Sequence, residues 1–207
     1  MENKEKILEK IAEEIRECKK CPLWRNRKNA VPGEGNPDTV VMFIGEAPGR
    51  FEDLEGRPFV GAAGKLLTEL LRNIGLTREE VYITNVVKCR PPGNRDPARD
   101  EIDKCSPYLD RQIEVIKPKV IVTLGRHSTL YLLGKTGRKH GKGILSLRGR
   151  LYTIHINRNP VTILPTLHPA AALYNPRLKT ILEKDFDKLK EILKSISKPK
   201  KGLDAFF

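Results

Sequence analysis

The stretch VVMFIGEAPGRFEDLEGRPFVGAAG, residues 40–64, decides the fold of this chain. It opens with an apolar run that ends at a glycine, continues through a loop rich in glycine and proline, and leads into the helical pattern KLLTELLRNIG, residues 65–75. A buried strand followed by glycines and then a helix is typical of α/β proteins that bind phosphate groups. The stretch therefore predicts a parallel type of sheet and raises the question of what its loop binds.

The loop matches neither of the common phosphate-binding loops. A dinucleotide fingerprint sets three glycines at the start of the helix, whereas here the pattern G-E-A-P-G lies well before it. A P-loop needs its lysine to be followed by serine or threonine, yet Lys65 is followed by Leu66. What remains is a sharply turning loop at the carboxyl end of a strand, where open α/β sheets hold their ligands.

Strand and helix patterns alternate along the rest of the chain. We predict strands over residues 38–45, 81–87, 120–124, 151–156 and 161–167, and helices over residues 4–18, 63–74, 97–116, 126–133 and 176–196. Residues 134–150, which are rich in Gly, Lys and Arg, are predicted to form a loop. This alternation favours an α/β fold whose mostly parallel sheet is covered by helices on both faces. We see no internal repeat, and we expect one domain over residues 1–197, followed by a basic tail, residues 198–207.

The composition indicates a globular protein with a polyanionic partner. The chain has 207 residues, of which 39% are hydrophobic and 31% charged, enough to build a real core. Its net charge of +13 favours nucleic acid as the partner, the alternative being a lysine-rich solvated surface. The charged start MENKEKILEK argues against a secretory signal, and no apolar run is long enough to span a membrane. We therefore expect a cytoplasmic protein, associated with the nucleoid, that has no membrane partner.

Polar and aromatic side chains gather at the predicted carboxyl ends of three strands. Glu46 follows the first strand, Asn85 lies near the end of the second, and His168 follows the last, while Phe59 belongs to the loop after the first strand. Taken singly, the ring and the histidine are more often structural, and a buried amide either satisfies backbone groups or reads a planar ligand. Taken together, an acid, a stacking ring, an amide that both donates and accepts, and a histidine suit a pocket for a flipped base.

Four cysteines have a spacing that indicates a metal centre. Cys18 and Cys21 form C-x-x-C, and fifteen residues separate Cys89 from Cys105. Such a set can hold zinc or a [4Fe–4S] cluster. Zinc ribbons favour two C-x-x-C pairs, so the wide second spacing favours iron–sulfur. Four unrelated buried thiols are the remaining alternative.

Four motifs resemble those of the iron–sulfur, or family 4, uracil-DNA glycosylases of archaea and bacteria. They are CKKCPL, GEAPGRFEDLEGRPFVGAAGKLL, TNVVKCRPPGNRDP and LHPAAAL, and they occur in the family's order between residues 5 and 195. The resemblance implies a three-layer α/β/α sandwich, removal of uracil from DNA by water without a covalent enzyme intermediate, and a [4Fe–4S] cluster on Cys18, Cys21, Cys89 and Cys105.

The resemblance also implies roles for single residues. Phe59 would stack on uracil, Asn85 would bond its O4 and N3 edge, and His168 would donate to O2 as negative charge develops on the leaving base. The residues expected to line the uracil are Gly45, Glu46, Ala47, Glu52, Phe59, Asn85 and His168.

The first motif departs from that of the best-known uracil glycosylases. Those enzymes carry an aspartate that orients water and an aromatic residue that excludes thymine, and Ala47 and Gly49 stand here instead. Family 4 typically lacks both residues, whereas the related family 5 lacks a carboxylate at the position of Glu46. We expect Glu46 to position the water and Glu52 to block a C5 methyl group.

Two further features point to macromolecular partners. Leu173 is expected to wedge into the duplex where the base has left, with core packing as the alternative. The end KGLDAFF resembles the sliding-clamp motif Q-x-x-L-x-x-F-F, with Lys200 in place of Gln and with Leu203, Phe206 and Phe207 as anchors.

We expect a monomeric enzyme whose partners are uracil-containing DNA and, through this tail, a sliding clamp. The alternatives are a glycosylase of wider base specificity and a non-catalytic iron–sulfur module that binds nucleic acid.

Overall fold

The computed structural model describes residues 3–137 and 143–197 and contains a six-stranded sheet. The strands are β1 Glu34–Gly35, β2 Val41–Gly45, β3 Tyr82–Asn85, β4 Val120–Leu124, β5 Tyr152–Ile156 and β6 Asn159–Thr166. Their order across the sheet is β1-β3-β2-β4-β6-β5. The four inner strands are parallel, and the two edge strands, β1 and β5, are antiparallel to their neighbours.

Helices cover both faces of the sheet. They are α1 Lys4–Glu17, α2 Arg50–Glu55, α3 Ala62–Asn73, α4 Arg99–Ile116, α5 Arg126–Gly134, α6 Ile144–Leu147, α7 Pro169–Tyr174 and α8 Arg177–Ser197. Both faces need cover because successive side chains of β2 point to opposite faces and all are apolar. Met42 and Ile44 belong to one hydrophobic core, and Val41 and Phe43 belong to the other. Helices α1, α4 and α5 contribute to the first core, and α3 and α8 to the second. The predicted three-layer α/β/α fold is confirmed.

The edge strand β5 forms a hairpin with β6, the last of the parallel strands. Asn157 and Arg158 both have positive φ angles, 48° and 66°. These two left-handed residues make a tight two-residue turn of the kind that suits the twist of antiparallel strands. Strand β6 therefore begins at Asn159, two residues before the predicted start, and runs to Thr166.

Two short helices occupy segments that were predicted as loops beside the strand ends. Helix α2 lies inside the loop that follows β2, and its third residue, Glu52, accepts a hydrogen bond from the backbone N–H of Gly49 before the helix. Helix α7 begins directly after His168, in a segment for which no helix was predicted, and it carries Leu173. Helix α6 lies within the predicted loop 134–150, of which residues 138–142 are outside the described residues.

The predicted tail, with Leu203, Phe206 and Phe207, also lies outside the described residues. In the part of the chain that the structure describes, no helix has the length and apolar character that crossing a membrane requires.

Candidate active site and cysteine cavity

A cavity of about 380 Å³ lies where the carboxyl ends of β2, β3 and β6 meet. It is lined by six of the seven residues predicted to contact a base: Glu46, Ala47, Glu52, Phe59, Asn85 and His168. A larger cavity, of about 750 Å³, lies near Lys119 and Pro160 at the other end of the sheet and contains none of them. The smaller cavity is the candidate site because open parallel sheets bind ligands at the carboxyl edge.

Asn85 presents an unused acceptor to this cavity. It is the last residue of β3 and is only 1% exposed. Its Oδ1 is the one buried side-chain polar atom without a hydrogen-bond partner among the described residues. Leaving a buried acceptor unpaired costs about 1–3 kcal/mol. The atom is therefore available to a ligand N–H.

Gly45 makes room for both the amide and the ring. A Cβ on this residue would lie 2.3 Å from Oδ1 of Asn85 and 2.6 Å from Cζ of Phe59. Both distances are far shorter than van der Waals contact, so only glycine fits. Phe59 itself is buried and has a φ angle of 52°, which is uncommon for an aromatic residue.

The ring of His168 is positioned at the start of α7. It lies nearly parallel to the ring of Phe59, with 5.5 Å between the centroids. Its Nδ1 accepts a hydrogen bond from the backbone N–H of Ala170, 3.2 Å away, which assigns the proton of the neutral ring to Nε2. Burial lowers the pKa of His168 below its usual value, although the charges of Glu46 and Glu52 oppose the shift. The ring is therefore a neutral donor at physiological pH.

Glu46 is held at the amino end of α5. Its Oε1 accepts a hydrogen bond from the backbone N–H of His127, 3.0 Å away, and the positive end of a helix favours a carboxylate there. The close approach needs a glycine at position 125, where a Cβ would lie 2.5 Å from the same oxygen.

The loop between β3 and α4 forms another wall of the cavity. Asn94, Arg95 and Asp96 line the site, and the carboxylate of Asp96 lies 3.0 Å from Nε2 of His127. This contact joins the loop to α5. Neither Asp96 nor His127 was predicted from the sequence, although Asp96 lies within the motif TNVVKCRPPGNRDP.

Glu52 has both carboxylate oxygens committed to the backbone. They accept hydrogen bonds from the N–H groups of Gly49, Val60 and Gly61 at 2.9–3.1 Å. Glu52 thus fastens the residues that follow Phe59. Its expected contact with a C5 methyl group stays a prediction.

Two apolar side chains project from α7 near the cavity. Leu173 is 47% exposed, and Tyr174 is 90% exposed and lines the mouth of the cavity. Core packing therefore does not account for Leu173, and its role as a wedge stays a prediction. Tyr174 was missed because an exposed tyrosine at a helix end carries no signal in the sequence alone.

The four cysteines converge on a second, smaller cavity. Cys18 and Cys21 lie after α1, Cys89 follows β3, and Cys105 is on α4, yet all four line the same cavity. The sulfur of Cys89 accepts a hydrogen bond from the Arg27 guanidinium at 3.1 Å. The sulfur of Cys105 accepts one from a backbone N–H at 3.2 Å. Donors aimed at two of the sulfurs suit a set of thiolates.

The burial of these sulfurs is compatible with a set of metal-bound thiolates. Burial raises the pKa of the Cys105 thiol to about 12 and also raises the pKa of the Cys21 and Cys89 thiols. Thiolates at this place therefore need a compensating cation. Among the described residues, only Glu46, Asp96 and His127 bring three potential ligand atoms within 4.8 Å of one another. No three of the cysteine sulfurs therefore lie within 4.8 Å of one another.

Comparison with known proteins gives consistent matches. The family model described as Uracil DNA glycosylase superfamily matches residues 32–196. The chain is 61% identical to the type-4 uracil-DNA glycosylase of Sulfurisphaera tokodaii, over 89% of this chain and 84% of the relative. It is 60% identical to that of Saccharolobus solfataricus, over 91% and 87% of the two chains. Identity to the Thermotoga maritima enzyme of the same name is 44%, over 94% and 98%.

Proposed function

This chain belongs to the type-4 uracil-DNA glycosylases, and we propose that it removes uracil from DNA by hydrolysing the N-glycosidic bond. The observation that carries the proposal is the unpartnered Oδ1 of Asn85 in a cavity that also contains an aromatic ring and a neutral histidine donor. Residues 1–197 act as one domain and as a monomer on DNA, in the cytoplasm at the nucleoid.

Asn85 reads the edge of the base. Uracil presents an N–H donor at N3 beside an acceptor at O4, and an amide complements this pair by accepting with Oδ1 and donating with its NH₂ group. Cytosine presents the reverse pattern and leaves both groups of Asn85 unpaired. Phe59 stacks on the face of the flipped base, and Gly45 leaves the space that the Asn85 amide and the Phe59 ring occupy.

His168 stabilises the leaving base. Breaking the glycosidic bond leaves negative charge on the base, and Nε2–H of the neutral ring donates to O2, where much of that charge develops. A donor fixed in advance of the reaction is typically worth about 2.7–4 kcal/mol. The hydrogen bond from the Ala170 N–H to Nδ1 keeps the proton on the nitrogen that donates.

Glu46 orients the attacking water. Its carboxylate lines the cavity and is held by the amino end of α5, so it can accept a hydrogen bond from a water on the sugar side of the bond. The water attacks the sugar as the base departs, and the product is an abasic site.

The four cysteines hold a [4Fe–4S] cluster, which supplies a structural cross-link. Their convergence on one cavity and the wide sequence spacing between Cys89 and Cys105 support this proposal. The cross-link includes Cys89 and Cys105, which lie on either side of the loop that lines the uracil cavity.

Incubation with uracil-containing DNA, followed by alkali, tests the proposed activity. We expect strand breaks at uracil with the native chain, and at least about a hundredfold slower single-turnover release with His168→Ala. DNA binding without any base release would mean a non-catalytic module. Release of hypoxanthine, or of thymine opposite guanine, at similar rates would mean a wider specificity. Near-normal cleavage by the variant would remove His168 from the proposed role.

We propose further that the C-terminal tail, which lies outside the described residues, binds a sliding clamp. Leu203, Phe206 and Phe207 would present one aliphatic and two aromatic anchors to an apolar pocket, and Lys200 would weaken the contact that Gln makes. Deleting residues 201–207 should leave uracil excision on oligonucleotides unchanged and abolish binding to the host's clamp in calorimetry. A truncated protein that melts markedly lower or loses activity would show that the tail belongs to the fold.

A further inference from the structure

Phe59 adopts a backbone conformation that the rest of the molecule must maintain. Its φ angle of 52° lies in the left-handed region, which side chains with a Cβ rarely occupy without support. Helix α3 also packs closely against its carbonyl group, since a Cβ on Gly64 would lie 1.7 Å from that oxygen. The direction of the ring depends on this conformation.

Arg78 holds the carbonyl side of this segment. It lies between α3 and β3, and its side chain is mostly buried. Its guanidinium donates to the carbonyl oxygens of Pro58 at 2.7 Å and Phe59 at 3.1 Å. The same group forms an ion pair with Glu34 on β1, at 2.7 Å.

The backbone N–H groups that follow Phe59 are held separately, by Glu52. As described above, its carboxylate accepts the N–H groups of Val60 and Gly61. Charged groups therefore hold the backbone on both sides of the Phe59 ring. Arg78 binds the carbonyl oxygens of Pro58 and Phe59, and Glu52 binds the N–H groups of the two residues that follow. Only arginine offers several donors in a rigid planar arrangement, so a lysine in its place can keep the charge but not both carbonyl bonds.

We propose that Arg78 is a positioning residue that fixes the ring of Phe59 over the uracil and thereby sets both the affinity for the base and the rate of its release. Arg78 does not line the cavity, so it acts through Phe59 and not on the base. The proposal rests on the function proposed above. A displacement of about 1 Å at a positioning group can cost on the order of a hundredfold in rate. We expect Arg78→Ala to lower single-turnover uracil release by about ten- to a hundredfold on that basis.

Arg57 provides a matched control. Arg57 also pairs with Glu34, and its Nε lies 2.8 Å from the Glu34 carboxylate. Its side chain, however, is 59% exposed, and both of its hydrogen bonds go to Glu34. Arg57→Ala therefore removes a charge and a partner of Glu34 without touching the carbonyls of Pro58 and Phe59. We expect it to keep uracil release within about twofold of the native rate, as is usual for an exposed ion pair.

A double-mutant cycle between Arg78 and Phe59 tests the proposal. The native protein, Arg78→Ala, Phe59→Ala and the double variant are compared for single-turnover release and for inhibition by free uracil. If Arg78 acts through the ring, its loss should have less than about a twofold effect once Phe59 is alanine. Full additivity of the two losses would overturn the proposal, as would an Arg78→Ala variant with native rate and native inhibition by uracil.

A conservative variant keeps the test valid if Arg78→Ala does not fold. Arg78→Lys then replaces it in the cycle, with folding checked by thermal melting, and is expected to show a smaller loss that again disappears with Phe59→Ala. An additive loss in this second cycle also overturns the proposal. A native protein that releases no uracil would instead refute the proposed function, so the two failures are distinguishable.

Discussion

Replacing Gly45 with alanine tests whether the positions of Asn85 and Phe59 shape the cavity for a base. The new methyl group would lie 2.3 Å from Oδ1 of Asn85 and 2.6 Å from Cζ of Phe59. Ordinary contacts of this kind are about 3.5 Å or longer, so one or both side chains must move by about 1 Å. Because the φ angle of Gly45 is not positive, the perturbation is that of the methyl group alone.

The expected loss follows from that displacement. A shift of about 1 Å in a positioning group costs on the order of a hundredfold in rate, or about 2.7 kcal/mol at 1.36 kcal/mol for each factor of ten. Overpacking should also lower the free energy of unfolding by about 1–3 kcal/mol. Single-turnover release from a uracil-containing oligonucleotide measures the first effect, and denaturant unfolding measures the second.

A matched glycine separates the local clash from a general effect of adding a methyl group. Gly134 ends α5, and a Cβ there would meet no atom within 4 Å, so Gly134→Ala should leave the rate essentially unchanged and raise the free energy of unfolding by about 0.4–1 kcal/mol. Suppose that Gly45→Ala releases uracil at a rate within about threefold of the native protein. The positions of Asn85 and Phe59 then do not matter for the reaction, and the assignment of this cavity to the base is wrong.

Four further outcomes are expected. Asn85→Asp should weaken discrimination of uracil from cytosine in competition assays, because a carboxylate cannot donate to O4; unchanged selectivity would exclude Asn85 as the reader. The single-turnover rate should stay level as the pH falls toward 6.5 and decline only below it, because burial holds the pKa of His168 under that value and the neutral ring is the active form; a midpoint above pH 6.5 would contradict this. The native protein should be brown and Cys105→Ser should lose the visible absorbance of an iron–sulfur cluster, whereas a colourless native protein with stoichiometric zinc would refute the cluster. Leu173→Ala should slow release from double-stranded DNA more than from single-stranded DNA, since a wedge matters only in a duplex; equal losses would count against a wedge.

The sequence predicted the location of the site because the physics of parallel sheets is simple. Carboxyl ends of parallel strands meet at one edge, so polar residues that follow separate strands are brought together there. Glu46, Asn85 and His168 follow this rule, and all three line one cavity. The convergence of Cys18 and Cys89 was likewise predicted, from the cysteine spacing and from the resemblance of the two motifs that contain them.

Other parts of the site depend on contacts between segments that are far apart in the chain. The pairing of Asp96 with His127 and the reach of Arg78 to the Phe59 carbonyl follow from the packing of whole elements, and no local pattern encodes them. The structural role of Glu52 had a local signal, since an acid three residues after Gly49 can accept the N–H of the residue that precedes a helix. That signal was overlooked because the segment was predicted as a loop.

The distribution of the site along the chain has a consequence for biosynthesis. Apart from His168, the residues that contact the base in our proposal lie early, on β2, its following loop and β3, whereas His168 comes only after β6 has been made. Strand β6 must also cross to its place beside β4 before that histidine reaches the cavity. A ribosome-bound chain that ends before residue 160 would possess the amide and the ring but not the donor on which cleavage depends. We therefore expect that an incomplete chain of this kind makes no abasic sites in the DNA.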